Sequence, residues 1–397
     1  MPKHTLVDIE FSLEWKSNAA THIDIYHLNN VDLIDDKLPT GFAKEISTLK
    51  VGESYKKTFP AEDIIGEEYS SDDVISFESS LFNSNFKKQH SPPILFRYYP
   101  SAIAWQGLNT KLTDYTPFRL ISKDGDDFVA DKNHPLAKYY LTLTAKKIAH
   151  KLNEHATPEN TKKRQRHIGK LISARGPGMQ APFEYGDPTF FKDYPFKRSN
   201  SLPLLKPHLD QIAVEQIEAL YSQLLPAHSK VLDLMSNQSS YLADDFATGL
   251  LTGIGHNEEA LNINQRLDTY IQQNLNENVK LPFEGNNFDD AICTVGIEYL
   301  TNPLAIMLEI ARVVDKGGKF IITFSDNSVS NATTLWGQLH PFERMQLVLE
   351  YFRVTNAFTN INTFSKRGAP RPWDDKQAHE KRLSCLLYTS PSPRDRG

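Results

Sequence analysis

The run Lys230-Val-Leu-Asp-Leu-Met235 does most to constrain what this chain can fold into. It is a short apolar strand with one acid, Asp233, near its carboxyl end. Ahead of it, Leu209, Ile212, Ala213, Ile217, Leu220, Tyr221 and Leu224 recur at three- and four-residue intervals, the spacing of one helix face. Behind it, strands are expected at 250–255, 289–295 and 319–324, the last entered through Gly317-Gly318. Helices are expected between them at about 239–247, from Glu258 with Asn257 as N-cap, and at about 302–313. This alternation gives a βαβαβαβ doubly wound α/β sheet, parallel and covered on both faces, with right-handed crossovers. Such sheets take ligands outside the carboxyl ends of their strands, and polar residues collect there in this chain.

Residues 1–150 read as a β-rich α+β region. Thr5–Leu13 and Tyr139–Ala145 alternate apolar and polar residues, as half-buried strands do. The turn Lys123-Asp-Gly-Asp126 joins Phe118–Ile121 to Phe128–Ala130 as a hairpin, and a short helix is expected over 41–49. Residues 151–204 read as a linker, with a basic run, Thr157–Arg166, and then a stretch of glycine, proline and aromatics. The basic run is either solvated or a contact for nucleic acid or an acidic partner. No aromatic RNA-binding motif accompanies it, which favours the solvated linker.

A length of 397 residues suggests two or three domains. The net charge of −5 argues against binding nucleic acid by bulk electrostatics. Two cysteines, Cys293 inside an expected strand and Cys385 near the end, exclude a disulfide framework, and no metal site is expected. The first residues contain no apolar leader and no long apolar run follows, so a soluble, cytoplasmic protein without membrane contact is expected.

Two segments carry a resemblance. Leu281-Pro-Phe-Glu-Gly-Asn-Asn-Phe-Asp-Asp-Ala-Ile-Cys-Thr294 and Leu308-Glu-Ile-Ala-Arg-Val-Val-Asp-Lys-Gly-Gly-Lys-Phe320 resemble, in order and spacing, class I S-adenosylmethionine-dependent methyltransferases of the type 11 kind. The resemblance spans about 205–385. It implies a Rossmann-like domain, S-adenosylmethionine as cofactor, and a small molecule or protein as methyl acceptor. The loop after the first strand departs from the family: Asp233-Leu-Met-Ser-Asn-Gln-Ser-Ser240 has no glycine. The second strand runs into Gly255-His256-Asn257 with no acid, and Asn274-Leu275-Asn276 is neutral where the family often carries an acid. Neutral groups hydrogen-bond more weakly than charged ones.

The resemblance makes Asp233, Met235, Ser236, Asn257, Asn274 and Leu275 the cofactor-binding candidates, with Asn237 and Ser239 as further polar groups in the loop. Asp233 either meets the cofactor or organises its own loop. Asn257 either meets the ribose or caps a helix. Glu298 and Tyr299 are the catalytic candidates. Glu298 is either a general base for the acceptor or a surface glutamate at a helix start. Cys293 reads as core packing. Trp336, His340 and Phe342, in an expected helix at about 333–353, either roof the site or pack the core.

The first half carries a second resemblance. Gly41-Phe-Ala-Lys-Glu-Ile-x3-Lys-Val-Gly52, Pro60-Ala-Glu-Asp-Ile-Ile-Gly66 and Asn133-His-Pro-Leu-Ala-Lys138 resemble landmarks of SlyD-type FKBP peptidyl-prolyl isomerases. This implies an FKBP-like module over 1–150 with an inserted flap at about 76–131, binding unfolded or proline-containing polypeptide. Ile65 and Leu143 stand where that family has aromatic walls for the prolyl ring, which makes a binding module at least as good a reading as an isomerase.

Residues 386–397 resemble a translated sequencing-adapter artefact and are expected to lie outside the fold as a non-native tail. Phe358–Phe364 supplies one late strand, and Pro372, Asp374 and Asp375 break the region after it. The sheet is therefore expected to be truncated at its last strand.

Overall fold

The computed structural model describes residues 5–88, 91–152, 165–173, 209, 211–325, 336, 339, 341–368, 386–389 and 392–393. The chain divides into two units, Met1–Trp15 with Leu28–Asp187, and Lys16–His27 with Pro188–Gly397.

In the first unit, strand β1 (Thr5–Lys16) turns Val7, Ile9, Phe11, Leu13 and Trp15 inward, all at most 2% exposed. The period-two pattern of the sequence thus becomes one buried face. Strand β2 (Thr21–Asp32) ends in this unit. Strand β8 (Tyr140–Leu152) pairs antiparallel with β1 and with β3 (Ser54–Pro60). Helix α1 (Phe42–Thr48) adds Phe42 and Ile46 to the core, and α2 (Glu62–Ile65) adds Ile64 and Ile65. Between α2 and β8 lies a separate four-stranded sheet. Its strands are β4 (Val74–Glu78), β5 (Tyr98–Pro100), β6 (Pro117–Asp124) and β7 (Asp127–Asp131), in the order β4-β7-β6-β5. Phe77, Phe82, Tyr99, Phe118 and Phe128 form its core. The expected hairpin is present, with Asp124 opposite Asp127.

The expected linker is partly folded. Strand β8 runs to Leu152, and helix α3 (Ile168–Ile172) packs in the first unit with Ile168 and Ile172 buried. Two buried isoleucines outweigh the basic composition around them. The rest of 151–204 lies outside the described residues.

In the second unit, helix α4 (Gln211–Leu224) buries Ala213, Ile217, Leu220 and Tyr221. Then follow β9 (Lys230–Leu234), β10 (Leu250–Gly255), α5 (Glu258–Ile263), β11 (Thr269–Gln272) and β12 (Asp290–Thr294). Next come α6 (Pro303–Val313), β13 (Phe320–Ser325), α7 (Pro341–Thr355), β14 (Phe358–Thr359) and β15 (Asn362–Arg367). Strands β16 (Leu386–Thr389) and β17 (Ser392–Pro393) close the described chain. The sheet order is β11-β10-β9-β12-β13-β16-β15, with Thr21–Tyr26 of β2 added parallel to β15. Strands β9 to β13 run parallel, and β16 runs antiparallel between β13 and β15.

Three expectations are corrected here. The sheet is not truncated: β16 pairs Thr389 with Ile322 and with Thr363. It comes from the residues set apart as a foreign tail. β13 and β15 each offer a row of backbone donors and acceptors, and a four-residue segment between them completes both ladders. Next, residues 239–247 form an irregular loop with a turn at 244–245, not a helix. Tyr241 is left-handed (φ 53), and the hydroxyls of Ser239 and Ser240 bond locally. Such side-chain bonds compete with helix formation. Last, Lys16–His27 belong with the second unit, inside a span expected to be wholly N-terminal. Strand β11 was not foreseen, because four residues carry too little periodicity. Residues 369–385, with Cys385 and the predicted break after Arg371, lie outside the described residues.

Candidate functional site

From β9 the chain builds outward through β10 and β11, then returns to the other side of β9 for β12 and β13. The carboxyl ends of β9 and β12 therefore flank the switch point, the usual ligand position in such sheets. Asp233 is the next-to-last residue of β9, and Met235, Ser236, Glu298 and Tyr299 follow the two ends.

Asp233 is 2% exposed, and its Oδ2 accepts the hydroxyls of Ser236 (2.7 Å) and Ser240 (2.6 Å). Burial pushes its carboxyl up from 3.8 to about 6, against the two hydrogen bonds that pull it down. The same charge, after burial, helps raise the Tyr241 phenol to about 12. Asn264 ties the loop from its far side, donating to the Asn237 carbonyl (2.8 Å) and Ser240 Oγ (3.0 Å). Asp233 thus organises its own loop.

The loop has no glycine, yet Met235 takes the left-handed φ of 58 that glycine usually supplies. The glycines sit on the neighbouring strands instead. A Cβ at Gly255 would lie 2.3 Å from the Ser236 carbonyl, and one at Gly296 would lie 2.6 Å from Met235 Cβ. The loop therefore rests directly on the ends of β10 and β12. Gly255→Ala is expected to cost about 2–3 kcal/mol, because a backbone carbonyl cannot swing aside as a side chain can. Chemical denaturation with hydrogen exchange over 235–241 checks this; an unchanged loop would refute the packing described.

Strand β10 ends at Gly255, two residues before Asn257. Asn257 Oδ1 accepts the Ala260 N–H at 3.1 Å and caps α5. Beyond β11, Asn274 Oδ1 accepts from Asn276 N–H and its amide donates to Glu277, while Leu275 is buried at 2% exposed. Asn276, not singled out from sequence, joins the two loops. Its amide donates to the Tyr299 carbonyl (2.9 Å), and its Oδ1 accepts the N–H (2.8 Å) and hydroxyl (3.1 Å) of Thr301.

Glu298 is not the surface glutamate of the alternative reading: it is 1% exposed, in the 3-10 turn Ile297–Tyr299. Its charge reaches the Cys293 thiol and the Tyr351 phenol, both pushed up chiefly by burial and then by Glu298. Cys293 is core, as expected. The hydroxyl of Tyr221 on α4 lies 2.6 Å from Thr294 Oγ1 at the end of β12, a contact sequence spacing does not reveal. Trp336 is buried and meets the Phe324 ring edge-on at 5.0 Å; His340 and the Phe342 side chain lie outside the described residues.

The two resemblance-bearing segments lock together. Glu309 accepts the Leu281 N–H (2.8 Å) and pairs with Arg312, and Arg312 donates to the carbonyls of Leu281 (3.0 Å) and Phe283 (2.8 Å). Helix α6 thereby holds the loop that feeds β12. A depression of about 400 Å³ lies at the opposite, amino ends of the strands, lined among others by His228, Asp289 and Lys319, away from the switch point. Among the described residues, no group of three His, Cys, Asp or Glu side chains could hold a metal ion, and no helix is long and apolar enough to cross a membrane.

The comparisons with known proteins bear on this unit. Residues 235–322 match a family model described as a methyltransferase domain. A comparison with curated proteins gave no match. Solved structures similar to part of the chain include one from a complex containing the Haloferax volcanii Trm112 methyltransferase activator (17% identity, 46% of this chain, 90% of that chain, TM-score 0.35). Another is an Aquifex aeolicus S-adenosylmethionine-dependent methyltransferase (15% identity, 52% and 98%, TM-score 0.32). A third is the [4+2]-cyclase SpnF (15% identity, 52% and 91%, TM-score 0.35). The first unit gained no family from these comparisons. The C-terminal part of the chain has a methyltransferase-like α/β fold, and residues 235–322 within it match the methyltransferase domain.

Proposed function

We propose that the second unit binds S-adenosylmethionine at the carboxyl ends of β9, β10 and β12 and methylates a small-molecule or protein acceptor. The observation that carries this is the glycine-like turn at Met235, seated at the switch point inside the matched span. The groups around it fit the nucleoside part of the cofactor. Asn257, Asn274 and the loop hydroxyls are neutral hydrogen-bonding groups, and neutral ribose hydroxyls can pair with them. Leu275 adds an apolar side. Asp233, Ser236 and Ser240 hold the loop in shape, and Met235 and Asn237 supply its backbone. The bound cofactor would supply an electrophilic methyl group. Methyl transfer is an in-line displacement in which positioning does most of the work. Asn276 holds the turn that carries Glu298 through the Tyr299 carbonyl and Thr301, and Glu298 is the group we assign to take the acceptor's proton.

A second reading is favoured by one observation. Strand β10 runs into Gly255-His256-Asn257 with no acid to pair with a ribose, and the Ser236 carbonyl packs directly on Gly255. On that reading the unit is a scaffold without cofactor. Calorimetric titration of the full chain with S-adenosylmethionine and S-adenosylhomocysteine separates the two. Micromolar binding supports the first reading; no binding by a folded chain supports the second.

For the first unit we propose an FKBP/SlyD-like module that presents polypeptide. Its support is the order of helix 42–48, strand 54–60, helical turn 62–65, inserted sheet 74–131 and closing strand 140–152, which follows the three landmarks. Ile65 and Leu143 are both core residues, at 3% and 0% exposed, so binding is favoured over prolyl isomerisation.

A further inference from the structure

Residues 165–173 lie on the first unit in the manner of a bound peptide. Two main-chain hydrogen bonds join the segment to Lys37: the Lys37 N–H donates to the Arg166 carbonyl (2.8 Å), and the Ile168 N–H donates to the Lys37 carbonyl (2.9 Å). This is a one-residue parallel β-bridge between Lys37 and His167. Arg166 anchors the entry. Its Nε donates to both carboxylate oxygens of Asp36 (3.2 and 3.0 Å), and its other nitrogens reach the carbonyls of Asn29 and Asn30. Asp36 is itself nearly buried, with a side chain 6% exposed. Next comes a steric filter. A Cβ at Gly169 would lie 2.2 Å from the Ile64 carbonyl on α2, so only glycine fits. Ile168 and Ile172 are buried at 0% and 1% exposed. At the far end, His134 Nε2 donates to the Ser173 carbonyl at 2.8 Å; the proton is on Nε2 because the Leu136 N–H donates to Nδ1.

These are the parts of peptide recognition: backbone pairing at an edge, a charged anchor, apolar anchors and a position that tolerates only glycine. We propose that the surface formed by Asn29–Asn30, Asp36–Lys37, α2 and His134 is a peptide-docking site, occupied in cis by the chain's own residues 166–173 and suited to a partner polypeptide carrying Arg-x-Ile-Gly-x-x-Ile. The site reads the arginine through Asp36 and the glycine through the Ile64 carbonyl. It is independent of the cofactor reading of the second unit.

The test uses the full chain and a fluorescent synthetic peptide of residues 164–174. Arg166→Ala/Gly169→Val in the chain removes the anchor and clashes with Ile64, which frees the surface. Circular dichroism and hydrogen exchange in β1 and β8 establish that this variant is folded. The released variant should bind the peptide with a micromolar Kd, and the wild-type chain at least tenfold more weakly. A peptide with Gly169→Val, or Asp36→Ala added to the released variant, should each weaken binding at least tenfold. A folded released variant that ignores the peptide overturns the proposal, as does one that binds both peptides alike. Equal binding by wild type and released variant overturns the cis occupancy. So does a wild-type dimer that dissociates on adding peptide, which would mean a second copy fills the site.

Discussion

Asp24→Ala is expected to destabilise the second unit by about 3–5 kcal/mol, the cost of removing one member of a buried charge pair. Asp24 and Arg367 have side chains 1% and 9% exposed. Asp24 accepts from Arg367 Nη2 (2.9 Å) and Nε (3.2 Å) on one oxygen and from Ser365 Oγ (2.7 Å) on the other. Burial nonetheless pushes the Asp24 carboxyl up, since desolvation exceeds the attraction of Arg367. The pair therefore adds little net stability, and removing one member costs more than removing both. Asp24→Ala/Arg367→Met should recover most of the loss. Hydrogen exchange of 21–26 and 362–367, which pair in register, reads the effect where it arises. A single-variant loss below about 1 kcal/mol, or a double variant as unstable as the single, would contradict this.

The second large effect is on pH dependence. The Asp233 carboxyl lies at about 6 in the fold against an ordinary 3.8. Between those values the folded state keeps a proton that the unfolded chain has lost, so stability falls as pH rises through the window. Each tenfold step in acidity is worth about 1.4 kcal/mol, which makes the decline from this group about 3 kcal/mol, complete above pH 6 to 7. Asp233→Asn keeps an oxygen to accept from Ser236 and Ser240 but carries no charge. At pH 7 the variant should be stabler than wild type by roughly that amount, and at pH 4 the two should be close. Denaturant titrations across pH 4–8 check this. Parallel curves for the two proteins would contradict it.

Much of the α/β unit was legible in the sequence. Its parallel strands are apolar runs with polar ends, and α4 carries a clear helical stripe. The segments Leu281–Thr294 and Leu308–Phe320 announced themselves because their residues bond to each other, through Glu309 and Arg312. The loop after β9 was less legible. Its glycines lie in β10 and after β12, so a search for glycines within the loop misses them. Ser240, Asn264 and Asn276 act through partners 7, 24 and 25 residues away, which no local pattern signals. The burial of Glu298 was hidden because a glutamate at a turn has the same local signature exposed or covered. Strand β16 was hidden because it is only four residues long, is followed directly by Ser390-Pro-Ser-Pro393, and has its pairing set by two strands far away in sequence.

Hydrogen exchange of the full chain with and without saturating S-adenosylhomocysteine shows whether the carboxyl ends of the strands hold the cofactor. New protection is expected in 235–241, 255–257, 272–276 and 296–299, the loops at the carboxyl ends of β9, β10, β11 and β12, and none at the amino ends near His228 and Asp289. A folded chain that shows no protection with the ligand, or protection confined to the amino ends, would contradict it.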